Sequence, residues 1–271
     1  MSEPFPAIDR GAARRNFERA ARSYAGASRL EAEVGARMLE RLDYMKLAPR
    51  RVLDAGSGPP QRLLGKRYPK ADVIALDFAL GMLRERRDWF GFFRKKLSIC
   101  GDLERLPLAP ETLDLVWSNM ALHWVAEPLA AIREFERVLA PGGLLMFSTL
   151  GPDTLKELRA AAGAARVHAF LDMHDLGDML VAAGFSAPVM DMEVLTLKYR
   201  SATQLLQDLR ASGQSNARLD RARGVSARSF RTRVLAGFPS ASFEVVYGHA
   251  WKAVARGETE SKTIRVFRRV P

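Results

Sequence analysis

Three aspartates close three short apolar runs. Asp54 follows Val52-Leu53, Asp77 follows the run 71–76, and Asp102 follows the run 96–100 after Gly101. Asp54 also opens a glycine turn, Asp54-Ala55-Gly56-Ser57-Gly58-Pro59-Pro60-Gln61. Strands of an open α/β sheet present ligands at their carboxyl ends, and glycine there lets backbone approach a ligand closely. Asp77 lies 21 residues after Gly56, where a carboxylate accepts the hydroxyls of a ribose. Asp102 is placed to accept the amino group of an adenine, with Leu103 covering the ring. A lone aspartate at a strand end is more often a cap. Three in succession point to a nucleoside pocket.

Two nucleoside ligands compete for it. A dinucleotide site needs G-x-G-x-x-G, with amide N–H groups aimed at a pyrophosphate. Here Gln61 stands where the third glycine belongs, and Pro59 and Pro60 remove two N–H donors. S-adenosyl-L-methionine needs no phosphate grip, and proline is accommodated in the first turn of a helix. The prolines therefore favour the methyl donor as cofactor.

Positioning such a site requires alternating strands and helices. Short apolar runs at 51–53, 71–76, 96–100, 113–118 and 144–149 read as strands, the last after the turn Pro141-Gly142-Gly143. Helical patterning falls at 61–67, 79–87 and 127–139, and again at 176–183, where Gly184 stops it. Runs 189–199 and 243–254 read as further strands. The alternation predicts a Rossmann-like α/β fold: a mostly parallel sheet with helices on both faces. Upstream, 14–41 reads as helical, with Leu30, Val34, Met38 and Leu42 on one buried stripe. Residues 1–12 are expected to fray. The expected layout is an N-terminal helical segment (1–45), a core (46–199 with 237–257), a basic helical lid insertion (200–236) and a basic tail (258–271).

The 271 residues are 48% apolar, enough for a large core, and carry a formal charge of +11 with an isoelectric point near 10.2. Such charge favours an acidic partner. Cys100 is the only cysteine, which excludes an intrachain disulfide and a four-thiolate metal site; no metal is expected. The first residues resemble no secretory signal, and no apolar run approaches the ~18 residues of a membrane span, so a cytoplasmic protein is expected. No helix-turn-helix, zinc-finger or RNA-binding sheet signature is present, so neither nucleic acid nor membrane is expected as a partner.

These motifs resemble class I S-adenosylmethionine-dependent methyltransferases across roughly residues 45–257. The likeness includes Leu113-Asp114-Leu115-Val116-Trp117-Ser118-Asn119 and Arg137-Val138-Leu139-Ala140-Pro141-Gly142-Gly143. It implies seven strands, the last antiparallel. A narrower likeness spans nearly the whole chain. Met120-Ala121-Leu122-His123-Trp124-Val125, Gly151-Pro152-Asp153-Thr154-Leu155-Lys156-Glu157-Leu158-Arg159, Asp172-Met173-His174-Asp175 and Phe17-x-x-Ala20-x-x-Tyr24 are similar to the malonyl-acyl-carrier-protein O-methyltransferase family of biotin synthesis. Ser57 and Pro60 depart from that family's Gly-Cys-Gly-x-Gly turn. A sister family, an arginine-hydroxylating assembly factor of mitochondrial complex I, shares the His123-Trp124 and Asp153-Thr154-Leu155 segments. An arginine-hydroxylase-like enzyme and a non-enzymatic assembly factor are therefore the alternatives.

The resemblance implies a donor site of Asp54, Gly56, Gly58, Asp77, Phe78, Asp102, Leu103 and Asn119. It implies Tyr24, His123 and Trp124 at the reacting end, and an acidic acyl carrier protein bearing a malonyl thioester as partner. The acceptor carboxylate is ionised at neutral pH, so no general base is required. Each candidate also has a bland reading. His123 and Trp124 suit packing, Tyr24 suits anchoring its helix, Asn119 suits bonding backbone, and His174 suits a helix entry. Arg218, Arg221, Arg223, Arg228, Arg231 and Arg233 suit either a docking face or ordinary solvated charge. Two further basic clusters are Arg84, Arg86, Arg87, Arg94, Lys95 and Lys96, and Lys262, Arg265, Arg268 and Arg269.

Overall fold

The computed structural model describes residues 7–59, 63–85, 97–221 and 240–254. A single sheet of seven strands organises them, in the order β3-β2-β1-β4-β5-β7-β6. The strands are β1 (Arg51–Ala55), β2 (Asp72–Asp77), β3 (Leu97–Cys100), β4 (Leu113–Asn119), β5 (Leu139–Leu150), β6 (Phe185–Lys198) and β7 (Ser240–Lys252). All neighbours pair in parallel except β7, which runs antiparallel to β5 and β6. Strand order reverses between β1 and β4, which opens a crevice at their carboxyl ends. Each predicted strand is found, shifted or extended by a few residues.

Burial on both faces explains the near-continuous apolar runs. Val52, Leu115, Trp117, Leu144, Met146 and Val245 pack with Val34 and Met38 of α2 (Arg29–Arg41) and Leu205 of α8 (Ala202–Ala211). Their sequence neighbours Leu53, Val116, Leu145, Phe147 and Val246 point the other way. Those pack with Ile132 and Phe135 of α5 (Pro128–Val138) and Leu176 and Leu180 of α7 (Met173–Ala182). The remaining helices are α1 (Arg10–Ala27), α3 (Leu63–Arg67), α4 (Leu80–Arg84) and α6 (Lys156–Ala162).

Four expectations need correction. The helical pattern over 14–41 is two helices, because the chain bends at Ser28 (φ −80°, ψ 49°), which joins α1 to α2. Residues 7–12 are not frayed. Ile8 is buried against Ala12, Trp124 and Ala217, Asp9 caps α1 by accepting the Ala12 amide, and helix begins at Arg10. The Pro141-Gly142-Gly143 turn lies inside β5 as a bulge: Leu113 pairs with Leu139, but Leu115 pairs with Leu144. Gly142, at φ +78°, supplies the left-handed residue this bulge needs. Arg218 and Arg221 are committed to Asp220 and Asp9, at 2.5 and 2.9 Å, and so are not free cations. Pro60 and Gln61, the basic cluster from Arg86 to Lys96, Arg223 onward in the insertion, and the tail 258–271 lie outside the described residues.

Leu53 is fully buried and fixes the strand that carries Asp54. Its replacement in L53A is expected to cost about 2–5 kcal/mol in urea unfolding, the range for a leucine deleted from a tight core. A loss below about 1 kcal/mol would contradict this account of the core.

Candidate active site

The crevice holds a cavity with about 650 Å³ of space, part of it open to solvent. Gly56, Gly58, Asp77, Phe78, Asp102, Leu103, Asn119, Tyr24 and Trp124 all line it. Asp54 lines an adjoining cleft that shares Tyr24, Gly56 and Asn119 with the first. The structure thus gathers ten of the eleven predicted site residues. His123 is the exception: it is buried behind Trp124, with Nδ1 3.1 Å from the Thr149 hydroxyl. Burial holds its imidazole well below the usual histidine pKa.

The glycine turn is shaped by close approach. Gly56 adopts φ +73°, and a β-carbon there would stand 2.2 Å from that of Ala121. Gly58, at φ +57°, faces the Tyr24 ring. The Gly56 and Ser57 amides donate to the Leu76 carbonyl at 2.8 and 2.9 Å. Asp77 completes the frame. One oxygen accepts from the Gly58 amide at 2.9 Å and the other from the Ala79 amide at 2.8 Å. A carboxylate has about four acceptor positions, so lone pairs remain for the cavity. Asp77 is thus first a brace for the turn.

Asp102 and Asn119 also have partners that the sequence did not suggest. Asp102 forms an ion pair with Arg10 and accepts the Glu104 amide at 3.0 Å. Arg10 also reaches Glu104 at 2.9 Å and so closes the rim of the cavity. The Asn119 amide is held by protein on both atoms: Nδ2 donates to the Glu31 carbonyl at 2.9 Å, and Oδ1 accepts from the Ser148 hydroxyl at 2.9 Å. It bonds backbone as expected and, lining the cavity, keeps a second N–H and a second lone pair. His174 sits exposed at the start of α7, its Nδ1 2.7 Å from the capping carboxylate of Asp172, so its helix-entry reading holds too.

Two site residues escaped sequence reasoning. Arg10 fell in the segment expected to fray. Glu31 is 4% exposed on α2, bonded by Gln214, and lines the same cleft as Asp54. An acid next to Leu30 on the buried stripe was the available signal. Phe17, Phe78 and Trp124 form an aromatic wall, with Phe17 5.7 Å from Phe78 and 5.1 Å from Trp124 between ring centroids.

Withdrawal from water dominates the electrostatics. Burial lifts Asp54 and Glu31 to about 7, and Asp77 to about 6 despite the amides it accepts. The Asp77 charge raises Asp54 further. Among the described residues no cation pairs with Asp54, Glu31 or Asp77. The cleft therefore suits a positively charged group, and the cavity beside it suits a nucleoside. An amino-acid-bearing sulfonium nucleoside combines both features.

This fold and site define a class I S-adenosylmethionine-dependent methyltransferase. A model of the methyltransferase domain matches residues 53–147. The fold is similar to that of a SAM-dependent methyltransferase from Thermotoga maritima (TM-score 0.54, 18% identity, 89% of this chain and 99% of that one). It is also similar to the YcgJ protein of Bacillus subtilis (TM-score 0.57, 16% identity, 80% and 98%). The malonyl-acyl-carrier-protein O-methyltransferase of Methylovorus sp. (strain MP688) is 49% identical over 92% of this chain and 91% of its own length. That of Gallionella capsiferriformans (strain ES-2) is 48% identical over 95% and 96%. The chain belongs to the malonyl-acyl-carrier-protein O-methyltransferase family.

A raised carboxyl pKa means that the folded state binds more protons than the unfolded one between pH ~4 and ~7, so its contribution to stability falls as pH rises through that window. D54N removes the carboxylate that must ionise. It is expected to raise the melting temperature of the ligand-free protein at pH 8 by several degrees more than at pH 5, read by scanning calorimetry. An equal change at both pH values would show that Asp54 is not held above the normal carboxylate range.

Proposed function

We propose that the chain transfers the methyl group of S-adenosylmethionine to the free carboxylate of a malonyl group carried as a thioester on acyl carrier protein, a step of biotin synthesis. The observation that carries this reading is the meeting of two facts. Relatives of that name align over nine-tenths of the chain, and its strand ends enclose a cavity suited to a cationic nucleoside.

The donor supplies an electrophilic methyl group on a sulfonium. In this reading Asp54 and Glu31 receive the ammonium of its amino-acid part, and the free lone pairs of Asp77 receive the ribose. Asp102 and Leu103 flank the adenine, and Gly56 and Gly58 let the backbone approach. Phe17, Phe78, Tyr24 and Trp124 exclude water around the reacting atoms. An anionic nucleophile and a cationic electrophile attract each other, so positioning and a dry environment do most of the work. Tyr24 keeps its proton, because burial and the carboxylates of Glu31, Asp77 and Asp54 raise its pKa well above the usual value. It serves as a wall and a hydroxyl donor, not as a base. His123 does not line the cavity; it packs behind Trp124, 5.2 Å between ring centroids, and acts through that packing.

The acceptor's carrier is acidic in this reading, and the net charge of +11 would draw it in. Arg218 and Arg221, held by Asp220 and Asp9, are not counted on for that contact. A cytoplasmic location belongs to the same reading. Among the described residues no helix is long and apolar enough to cross a membrane.

Incubation with S-adenosylmethionine and malonyl-carrier protein is expected to add one methylene to the mass of the carrier. Donor binding without any mass gain would reject the acceptor. Affinity for S-adenosylhomocysteine, measured by calorimetry, is expected to tighten about ten-fold from pH 6 to pH 8 as Asp54 and Glu31 ionise; a pH-independent affinity would remove them from the ammonium site. G56A is expected to abolish that binding, since the added methyl overlaps Ala121. Wild-type affinity in G56A would show that the turn does not form the site.

A further inference from the structure

Trp124 lines both the candidate donor cavity and a second one. Its indole lies 5.1 Å from Phe17 on one side and 4.6 Å from His168 on the other, between ring centroids. The second cavity has about 640 Å³ of space, part of it open to solvent. Its walls are mainly apolar: Leu155 and Leu158 from the α6 region, Phe170, and Leu206 and Leu209 from α8. Such a space admits a slender chain and no folded protein.

Beside Arg166, Gln214, Ser215 and Asn216, two polar groups mark it. His168 is 5% exposed, and its Nε2 lies 2.9 Å from the His123 carbonyl oxygen. A carbonyl can only accept, so Nε2 carries the proton and Nδ1 presents a bare lone pair. That Nδ1 is buried and has no hydrogen-bond partner. Burial lowers the pKa of the imidazole to about 4, so it is neutral at physiological pH. A buried acceptor of this kind calls for an N–H or O–H donor. Arg210, in the last turn of α8, is the second group. Its guanidinium is exposed at the rim and makes no hydrogen bond or ion pair with another described residue, whereas Arg218 nearby is held by Asp220.

We propose that this second cavity seats the thioester arm of the acceptor, with His168 Nδ1 accepting from an amide N–H of the arm and Arg210 meeting the arm's phosphodiester. The inference rests on the malonyl-thioester reading above. The assignment of ends follows from burial. The acceptor carboxylate must reach the donor, at the buried Trp124 end, which leaves the phosphodiester for the exposed arginine. His168 and Arg210 are positioning residues, since neither touches the reacting atoms.

Steady-state kinetics with two soluble acceptors test this. Malonyl-phosphopantetheine carries the amides and a phosphate; malonyl-N-acetylcysteamine carries an amide and no phosphate. R210A is expected to raise KM about ten-fold for the first and leave it unchanged for the second. H168Q keeps a donor toward the His123 carbonyl but removes the acceptor from the Nδ1 position, its amide oxygen branching elsewhere, so it is expected to raise KM for both. L206W narrows the cavity without altering either polar group and is expected to raise KM for malonyl-phosphopantetheine. In all three variants the calorimetric affinity for S-adenosylhomocysteine is expected to stay within about two-fold of wild type, which also reports folding. Equal effects of R210A on both acceptors, or none, would overturn the arginine's role. An unchanged KM in H168Q would overturn the histidine's, and an unchanged KM in L206W would overturn the cavity itself. A wild type that binds S-adenosylhomocysteine yet methylates neither thioester would reject the reading of the acceptor, and this inference with it.

Discussion

The carboxylate of Asp77 holds together the two loops that border the donor cavity. It grips Gly58 in the turn after β1 with one oxygen and Ala79 at the start of α4 with the other. The turn can take that position only because Gly56 carries no side chain where Ala121 crosses it. The Asp77 grip sets the Gly58 backbone against Tyr24, and the pairing of β1 with β2 brings Asp54 beside Asp77, which leaves an acid-lined hollow at the point where strand order reverses. Burying carboxylates is costly, and the raised pKa values of Asp54, Glu31 and Asp77 record that cost. In the proposed reading a cationic ligand offsets that cost, which favours a charged nucleoside in the site.

Much of this was legible in the residues. Parallel strands buried on both faces read as plain apolar runs, and Val52-Leu53 or Leu144-Leu145 declare a strand whichever face each residue takes. Glycines beside an acid mark the turn because only glycine tolerates that backbone and that closeness. What stayed hidden depends on distant contacts. Ile8 looked loose, yet it is fixed by Ala217 and Trp124 from far along the chain. Arg10 reads as part of a frayed end and Glu31 as an ordinary helix-surface residue until folding brings them to Asp102 and Asp54. Pro141-Gly142-Gly143 signals a turn locally, whereas strand pairing absorbs it as a bulge.

The N-terminal helices act as part of the site rather than as an appendage. α1 supplies Phe17 and Tyr24, α2 supplies Glu31, and the segment after α8 locks onto both. Ser23 donates to the Ala211 carbonyl, Asn16 to that of Ser215, and Gln214 to the Glu31 carboxylate. One short segment thereby bonds Glu31 of the donor cleft through Gln214 and lines the second cavity with Gln214, Ser215 and Asn216.

A crystal structure of the protein with S-adenosylhomocysteine tests the central claim most directly. The account predicts density for the amino-acid ammonium within hydrogen-bond reach of Asp54 and Glu31, the ribose hydroxyls on Asp77, and the adenine between Asp102 and Leu103. Density in a different cavity, or a ribose turned away from Asp77, would contradict it.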